Sequence, residues 1–226
     1  TEKTIQGKIE ETLTRLLGET VEIDGAGRTD AGVHALGQSA NFHTDRKLDP
    51  EKLKAELNTY LPEDIGVVRV EEVPERFHSR LNALGKTYRY RVATGEGKNV
   101  FERKQIYPLN QPLDVETMRL GAALLVGEKD FRGFSSMKKT KKSTVRRLES
   151  VKIRELPGEV EFDFTGNGFL YNMVRILTGT LLEIGMGKRE PESIGKVFQK
   201  NDRNLAGFTA PARGLTLVEV FYPKNS

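Results

Sequence analysis

The sequence predicts an α+β fold, and two observations carry that expectation. The second half of the chain reads strand, helix, strand, strand, helix, strand. The first half reads helix, strand, strand, helix, strand, the same order without its opening strand. In both halves the apolar residues switch between the helical period and the alternating period of a half-buried strand.

The elements follow in order. Thr4 to Gly18 reads as a helix: Ile5, Ile9, Leu13, Leu16 and Leu17 share one face, and Gly18 ends it. Val21 to Asp24 reads as a short strand leading into a glycine-rich loop, and Gln38 to His43 as a second strand. Asp49-Pro50 supplies an N-cap followed by proline at the first helical position, and Leu53, Leu57, Tyr60 and Leu61 form that helix's apolar stripe. Ile65 to Val73 reads as a strand. Thr87 to Thr94 is a strand with Tyr88, Tyr90 and Val92 on one face and Arg89 and Arg91 on the other. Asp114 caps a helix carrying Val115, Met118, Ala122 and Leu125, ending at Gly127. Arg147 to Arg154 and Val160 to Thr165 read as two strands joined around Pro157-Gly158. Asn167-Gly168 opens a long helix to Ile184, apolar on most faces and therefore buried. A short helix from Pro191 to Gln199 and a strand from Leu215 to Tyr222 close the chain. The strand–helix order is ferredoxin-like.

Composition bounds the chemistry. A chain of 226 residues buries a sizeable core as one large domain or two small ones. A net charge of +4 permits nucleic-acid binding without demonstrating it, because distribution matters more than the sum. There is no cysteine, so no disulfide, thiolate nucleophile or cysteine metal site. The three histidines, His34, His43 and His78, lack metal-ligand spacing, so no metal or cofactor is expected, and they receive no catalytic role. No apolar run reaches membrane-spanning length and no signal peptide is visible, so a cytoplasmic protein is the default.

The stretch Gly25 to Gly37, GAGRTDAGVHALG, organises the chain. Its four glycines let the backbone adopt left-handed angles and approach a ligand closely. Asp30 within it suits a nucleophile or general base. On residue chemistry alone, a turn with a capping Asp and a solvated Arg28 explains it equally well.

The run GRTDAGVHALGQSANF resembles the signature of the TruA family, the tRNA pseudouridine synthases that act near the anticodon. Further matches follow in order: Phe77-His78-Ser79-Arg80, Lys86-Thr87-Tyr88-Arg89-Tyr90, Asp130-Phe131 with Phe134-Ser135, Gly168-Phe169-Leu170 through Asn172-Met173-Val174-Arg175, and Gly214-Leu215-Thr216-Leu217. The resemblance covers nearly the whole chain. It implies a pseudouridine synthase fold of two ferredoxin-like halves, 1–79 and 80–226, with joined antiparallel sheets and a cleft between them. It also implies a homodimer and conversion of uridine to pseudouridine at positions 38, 39 and 40 of tRNA. TruA-like proteins begin with a strand and a Tyr-Asp-Gly loop ahead of the point matching Thr1. That strand is central to its sheet, so a preceding segment is expected.

The resemblance also assigns roles. Asp30 becomes the nucleophile, attacking either C1′ of the ribose or C6 of the base. Arg175 becomes its ion-pair partner. An arginine in the apolar stretch Leu170 to Leu182 needs a partner, and a nearby guanidinium keeps a carboxylate ionised. Any buried acid would satisfy that need on sequence grounds alone. Tyr88, otherwise a core tyrosine, becomes the ring that stacks on the target base. Arg28 becomes the side chain that enters the RNA and holds the target nucleotide extruded. Leu217 completes the apolar wall of the pocket or simply packs in the core. The basic run of Lys138, Lys139, Lys141, Lys142, Arg146 and Arg147 is either a solvated loop or a phosphate contact.

Two other readings compete. A non-catalytic RNA-binding protein on the same fold is disfavoured by the intact set Arg28, Asp30, Tyr88 and Arg175. A glycoside hydrolase generally needs a paired second acid, and the motif offers no clear acid partner for Asp30.

Overall fold

The computed structural model describes residues 4–97, 99–138 and 141–223, so Lys139 of the basic run lies outside the described residues. The fold is mixed α+β. In chain order the elements are α1 (Ile5–Leu17), β1 (Asp24–Gly25), β2 (His34–Ala35), β3 (Ala40–Asn41), α2 (Pro50–Tyr60), β4 (Gly85–Ala93), β5 (Tyr107–Pro108), α3 (Val115–Leu125), β6 (Gly127–Asp130), β7 (Val145–Leu156), β8 (Glu159–Gly166), α4 (Met173–Gly185), α5 (Ser193–Lys200) and β9 (Leu215–Phe221). The chain divides into two compact units. One comprises Thr1–Arg28, Ser39–Ala83 and Tyr222–Ser226; the other comprises Thr29–Gln38 and Leu84–Phe221.

The first unit is built on its two helices. Thr4 caps α1 by accepting from Gly7 N, and Gly18 ends it at φ 65°. Asp49 caps α2 by accepting from the amides of Glu51 and Lys52, with Pro50 at the start of the helix. Leu13, Leu17, Leu53, Leu57 and Leu61 from these helices bury against Val21 and Ile23. The strands expected at Val21–Asp24 and Gln38–His43 shrink to the two-residue pair β1–β3. Ile65–Val73 is not a strand, and side-chain hydrogen bonding gives the reason. The Asn58 amide accepts from Val67 N at 2.7 Å and donates to Val67 O at 2.8 Å, taking both backbone groups that a ladder would use. Ile65, Val67 and Val70 still pack on the helical core.

The second unit holds a seven-stranded sheet ordered β2-β9-β4-β8-β7-β6, with β5 also pairing to β4. The central pairings β9–β4, β4–β8 and β8–β7 are antiparallel. One sheet face is apolar: Tyr90, Val92, Phe162 and Phe164 are fully buried, with Met118 of α3 and Ile176 of α4. On β4 and β8, the residues alternating with these carry charge. Arg89 pairs with Asp163 directly across the ladder at 2.8 Å, and Arg91 pairs diagonally with Glu159, two residues along from its cross-strand neighbour Glu161, at 2.5 Å.

The helix expected from Asn167 begins six residues later, at Met173. Asn167 instead docks on β7, donating from its backbone to Arg147 O and accepting Arg147 N on its side chain. Asn172 is left-handed, at φ 60° and ψ 6°, and breaks the approach to the helix. The strands β2, β5 and β6 were not legible in the sequence; two of the three are only two residues long.

Candidate active site

Asp30 belongs to the second unit, in the segment Thr29–Gln38. Three local features hold it. The turn Asp30–Val33 closes with Val33 N donating to Asp30 O at 3.1 Å. Gly32 takes φ 82° at its third position, a conformation that glycine reaches without steric cost. The chain then forms β2, which runs parallel to β9 with Ala35 opposite Leu217, and Leu36 N donates to Leu217 O at 2.8 Å.

Arg175 lies in the first turn of α4, its side chain mostly buried. Its Nη1 donates to Asp30 Oδ2 at 3.0 Å and to Asn172 Oδ1 at 2.9 Å, while Nε donates to the carbonyl of Ala210 at 2.7 Å. The backbone is joined at the same place, with Ala210 N donating to Arg175 O at 3.1 Å. Segment 206–211 is strapped along α4 to make this possible. Gly207 N donates to Thr180 Oγ1, Phe208 N to Glu183 Oε1, and the buried Tyr90 hydroxyl to Pro211 O. The strap runs so close that a Cβ on Gly179 would stand 1.9 Å from the Phe208 carbonyl oxygen. Only glycine fits there.

Tyr88 packs on the same side of β4 as Tyr90. It is 9% exposed and faces Leu217 across the β4–β9 ladder, immediately after a register shift. Phe169 meets its ring edge-on. Burial, together with the negative charge of Asp30, pushes the Tyr88 phenol up to about 12. Leu217 is 1% exposed and forms part of this wall.

The structure therefore brings Asp30, Arg175, Tyr88 and Leu217 together within one unit. Arg28 belongs to the other unit and its side chain is exposed. Among the described residues, no group of three or more His, Asp or Glu side chains is arranged to hold a metal ion. No helix among them is long and apolar enough to cross a membrane.

This arrangement gives a carboxylate held by one oxygen, beside an apolar wall with a flat aromatic ring. A carboxylate so placed can act as a nucleophile or a general base towards a flat group packed on that wall. Residues 1–82 and 122–223 match the family described as tRNA pseudouridine synthase.

The chain belongs to this family.

It is similar to the tRNA pseudouridine synthase A 2 of Bacillus cereus, with 46% identity over 219 residues, covering 97% of this chain and 89% of that protein. It is 44% identical over 220 residues to the tRNA pseudouridine synthase A 2 of Clostridium tetani, at the same two coverages. Against the tRNA pseudouridine synthase A of a Bacillus species, identity is 45% over 216 residues, covering 96% of this chain and 88% of the other.

Within this tRNA pseudouridine synthase, sequence reasoning missed three participants. Ala210 acts through its carbonyl, which no side-chain motif reveals. Phe169 and Asn172 fell inside a recognised motif and received no role of their own. The signal for Asn172 was its spacing: three residues before Arg175, one helical turn away, a polar amide can meet the guanidinium.

Proposed function

We propose that this protein isomerises uridine to pseudouridine in tRNA, at positions 38, 39 and 40 of the anticodon stem-loop, with Asp30 as nucleophile. The observation that carries the reading is the single-oxygen ion pair of Arg175 with Asp30 in a member of this family. Arg175 engages only Oδ2 of the carboxylate, at 3.0 Å.

The reaction breaks the N1–C1′ bond, turns the base and forms a C5–C1′ bond. N1 gains a proton and C5 loses one, so the product is an isomer and no redox step arises. Asp30 attacks C1′ or C6. Tyr88 stacks on the base, Leu217 lines the pocket and Arg28 holds the nucleotide extruded. A base stacked in a helix cannot reach a carboxylate set beside Tyr88 and Leu217 in this pocket, so extrusion comes first. In keeping with the family resemblance, two ferredoxin-like halves, 1–79 and 80–226, share this work in a cytoplasmic homodimer that binds tRNA and uses no cofactor. The β4-α3-β7-β8-α4-β9 succession supports that reading of the second half.

The test uses purified protein and tRNA carrying labelled uridine. Pseudouridine should form at the three positions, and Asp30→Asn should abolish it while tRNA binding and thermal unfolding stay near those of the wild type. Binding without pseudouridine in the wild type would identify an RNA-binding protein instead. Appreciable turnover by Asp30→Asn would remove Asp30 from the nucleophile role.

A further inference from the structure

Asn172 stands at the N-cap of α4, where an asparagine side chain ordinarily accepts from a backbone amide of the first turn. Here it makes no such bond, and its backbone is left-handed at φ 60°. The side chain serves other partners. A guanidinium donates only, so the amide oxygen must face it, and Oδ1 accepts from Arg175 Nη1 at 2.9 Å. Nδ2 donates in the opposite direction to Ser136 Oγ at 3.1 Å. The Ser136 segment is itself fixed, since Ser136 N donates to Tyr171 O at 3.0 Å. An uncommon backbone conformation and an unmade cap are thus combined with two side-chain bonds aimed at the ion pair.

Resting on the reading of Asp30 as nucleophile, we propose that Asn172 is a positioning residue for the reaction. Ala210 O fixes Nε of Arg175, and Asn172 Oδ1 fixes Nη1. With both held, the guanidinium presents one N–H to Asp30 and engages Oδ2 alone. Oδ1 of Asp30 stays available for bond formation. Without the Asn172 amide, the planar guanidinium keeps only the Ala210 anchor at Nε, and the direction in which the carboxylate is held is no longer set. The chain Ser136–Asn172–Arg175–Asp30 also ties the beginning of the basic segment to the nucleophile.

The decisive variant is Asn172→Gly. Glycine adopts the left-handed conformation readily, so the backbone keeps its path while the amide is lost. A misplacement on the order of 1 Å at a reacting group costs up to about 100-fold in rate, so kcat should fall by about 10- to 100-fold. The KM for tRNA and the melting temperature should stay near the wild-type values. In a crystal structure of the variant, the Arg175–Asp30 separation should exceed hydrogen-bond reach, about 3.5 Å. Asn172→Asp is the second variant. It keeps size and tolerance of the left-handed region, but it sets a second carboxylate against Arg175 and should also lower kcat. Wild-type kcat in either variant, or an unchanged 3.0 Å pair in the Asn172→Gly structure, overturns the proposal. If the wild-type protein makes no pseudouridine, the functional reading fails, and the crystallographic distance still decides the role of Asn172.

Discussion

Tyr88 meets Phe169 edge to face, with ring centroids 5.1 Å apart and planes at 82°. It does so at the one place where β4 shifts register against β9, between Thr87 and Tyr88. Irregularities of this kind re-aim a side chain next to a functional site. Phe169 holds the re-aimed ring from the side, and the flat face of Tyr88 is the surface suited to stacking on a base.

The proton of Tyr88 should prove hard to remove. Burial and the Asp30 charge raise its pKa from 10.0 to about 12. Below pH 10 the phenol is protonated in both folded and unfolded chains, and its contribution to stability is fully present. Between pH 10 and 12 the unfolded chain loses the proton first, so that contribution is lost as pH rises through the folded value. Base-induced unfolding should therefore steepen in this window for the wild type and less so for Tyr88→Phe. Ultraviolet titration of phenolate should show the transition missing from Tyr88→Phe lying near pH 12. A missing transition near pH 10 would mean that the ring is solvated.

Arg175 has three donor bonds to satisfy in one plane: to Asp30, Asn172 and Ala210. A lysine ammonium carries the charge but not the fork. Arg175→Lys should thus lose about 100-fold or more in kcat, in line with removal of one preorganised electrostatic partner. Arg175→Met should lose more, since the carboxylate is left without a cation. Single-turnover rates at saturating enzyme check this. A rate for Arg175→Lys close to that of the wild type would assign Arg175 to charge balance alone.

The Asp30–Arg175 pairing was legible through the motifs that carry the family resemblance. Residue chemistry alone left Asp30 equally well explained as a capping residue of a turn, and Arg175 in need of any buried acid. What stayed hidden was long-range. Ala210 meets Arg175 through backbone atoms thirty-five residues further along the chain. Residues 34–35 form a strand only because β9 supplies a parallel partner. Fold-level errors had the same origin. Ile65–Val73 carries a strand pattern, yet the Asn58 side chain claims the hydrogen bonds of Val67. The apolar content of 167–184 suggested one long helix, and the docking of Asn167 on β7 delayed its start.

The basic segment gives a prediction in solution electrostatics. Lys138, Lys141 and Lys142 are exposed around the start of β7. If they neutralise tRNA phosphates, replacing all three by glutamine raises the dissociation constant and flattens its salt dependence. Each lost contact should reduce the slope of log affinity against log salt by about 0.7–0.9. Titrations at several salt concentrations measure it directly. An unchanged slope would return these lysines to the solvated surface.

Arg28 separates base extrusion from chemistry. It is exposed and lies two residues ahead of Asp30 in the chain. Its planar guanidinium can stack in the space of a flipped uridine as well as bind phosphate. Its loss should therefore act on delivery of the base rather than on the carboxylate. Arg28→Ala should greatly slow single-turnover conversion at saturating enzyme, with a smaller loss of tRNA affinity. Arg28→Lys should not restore the rate, because the ammonium keeps the charge and loses the plane. Asp30, Arg175 and Tyr88 belong to the other compact unit, so their arrangement should survive the substitution. A substrate whose target uridine is already unstacked, in a loosened stem, should then be far less sensitive. Extruding a paired base costs a few kcal/mol, on the order of 100-fold in rate, which such a comparison resolves. Equal losses on paired and unstacked targets would move Arg28 to the chemical step or to the structure of its loop.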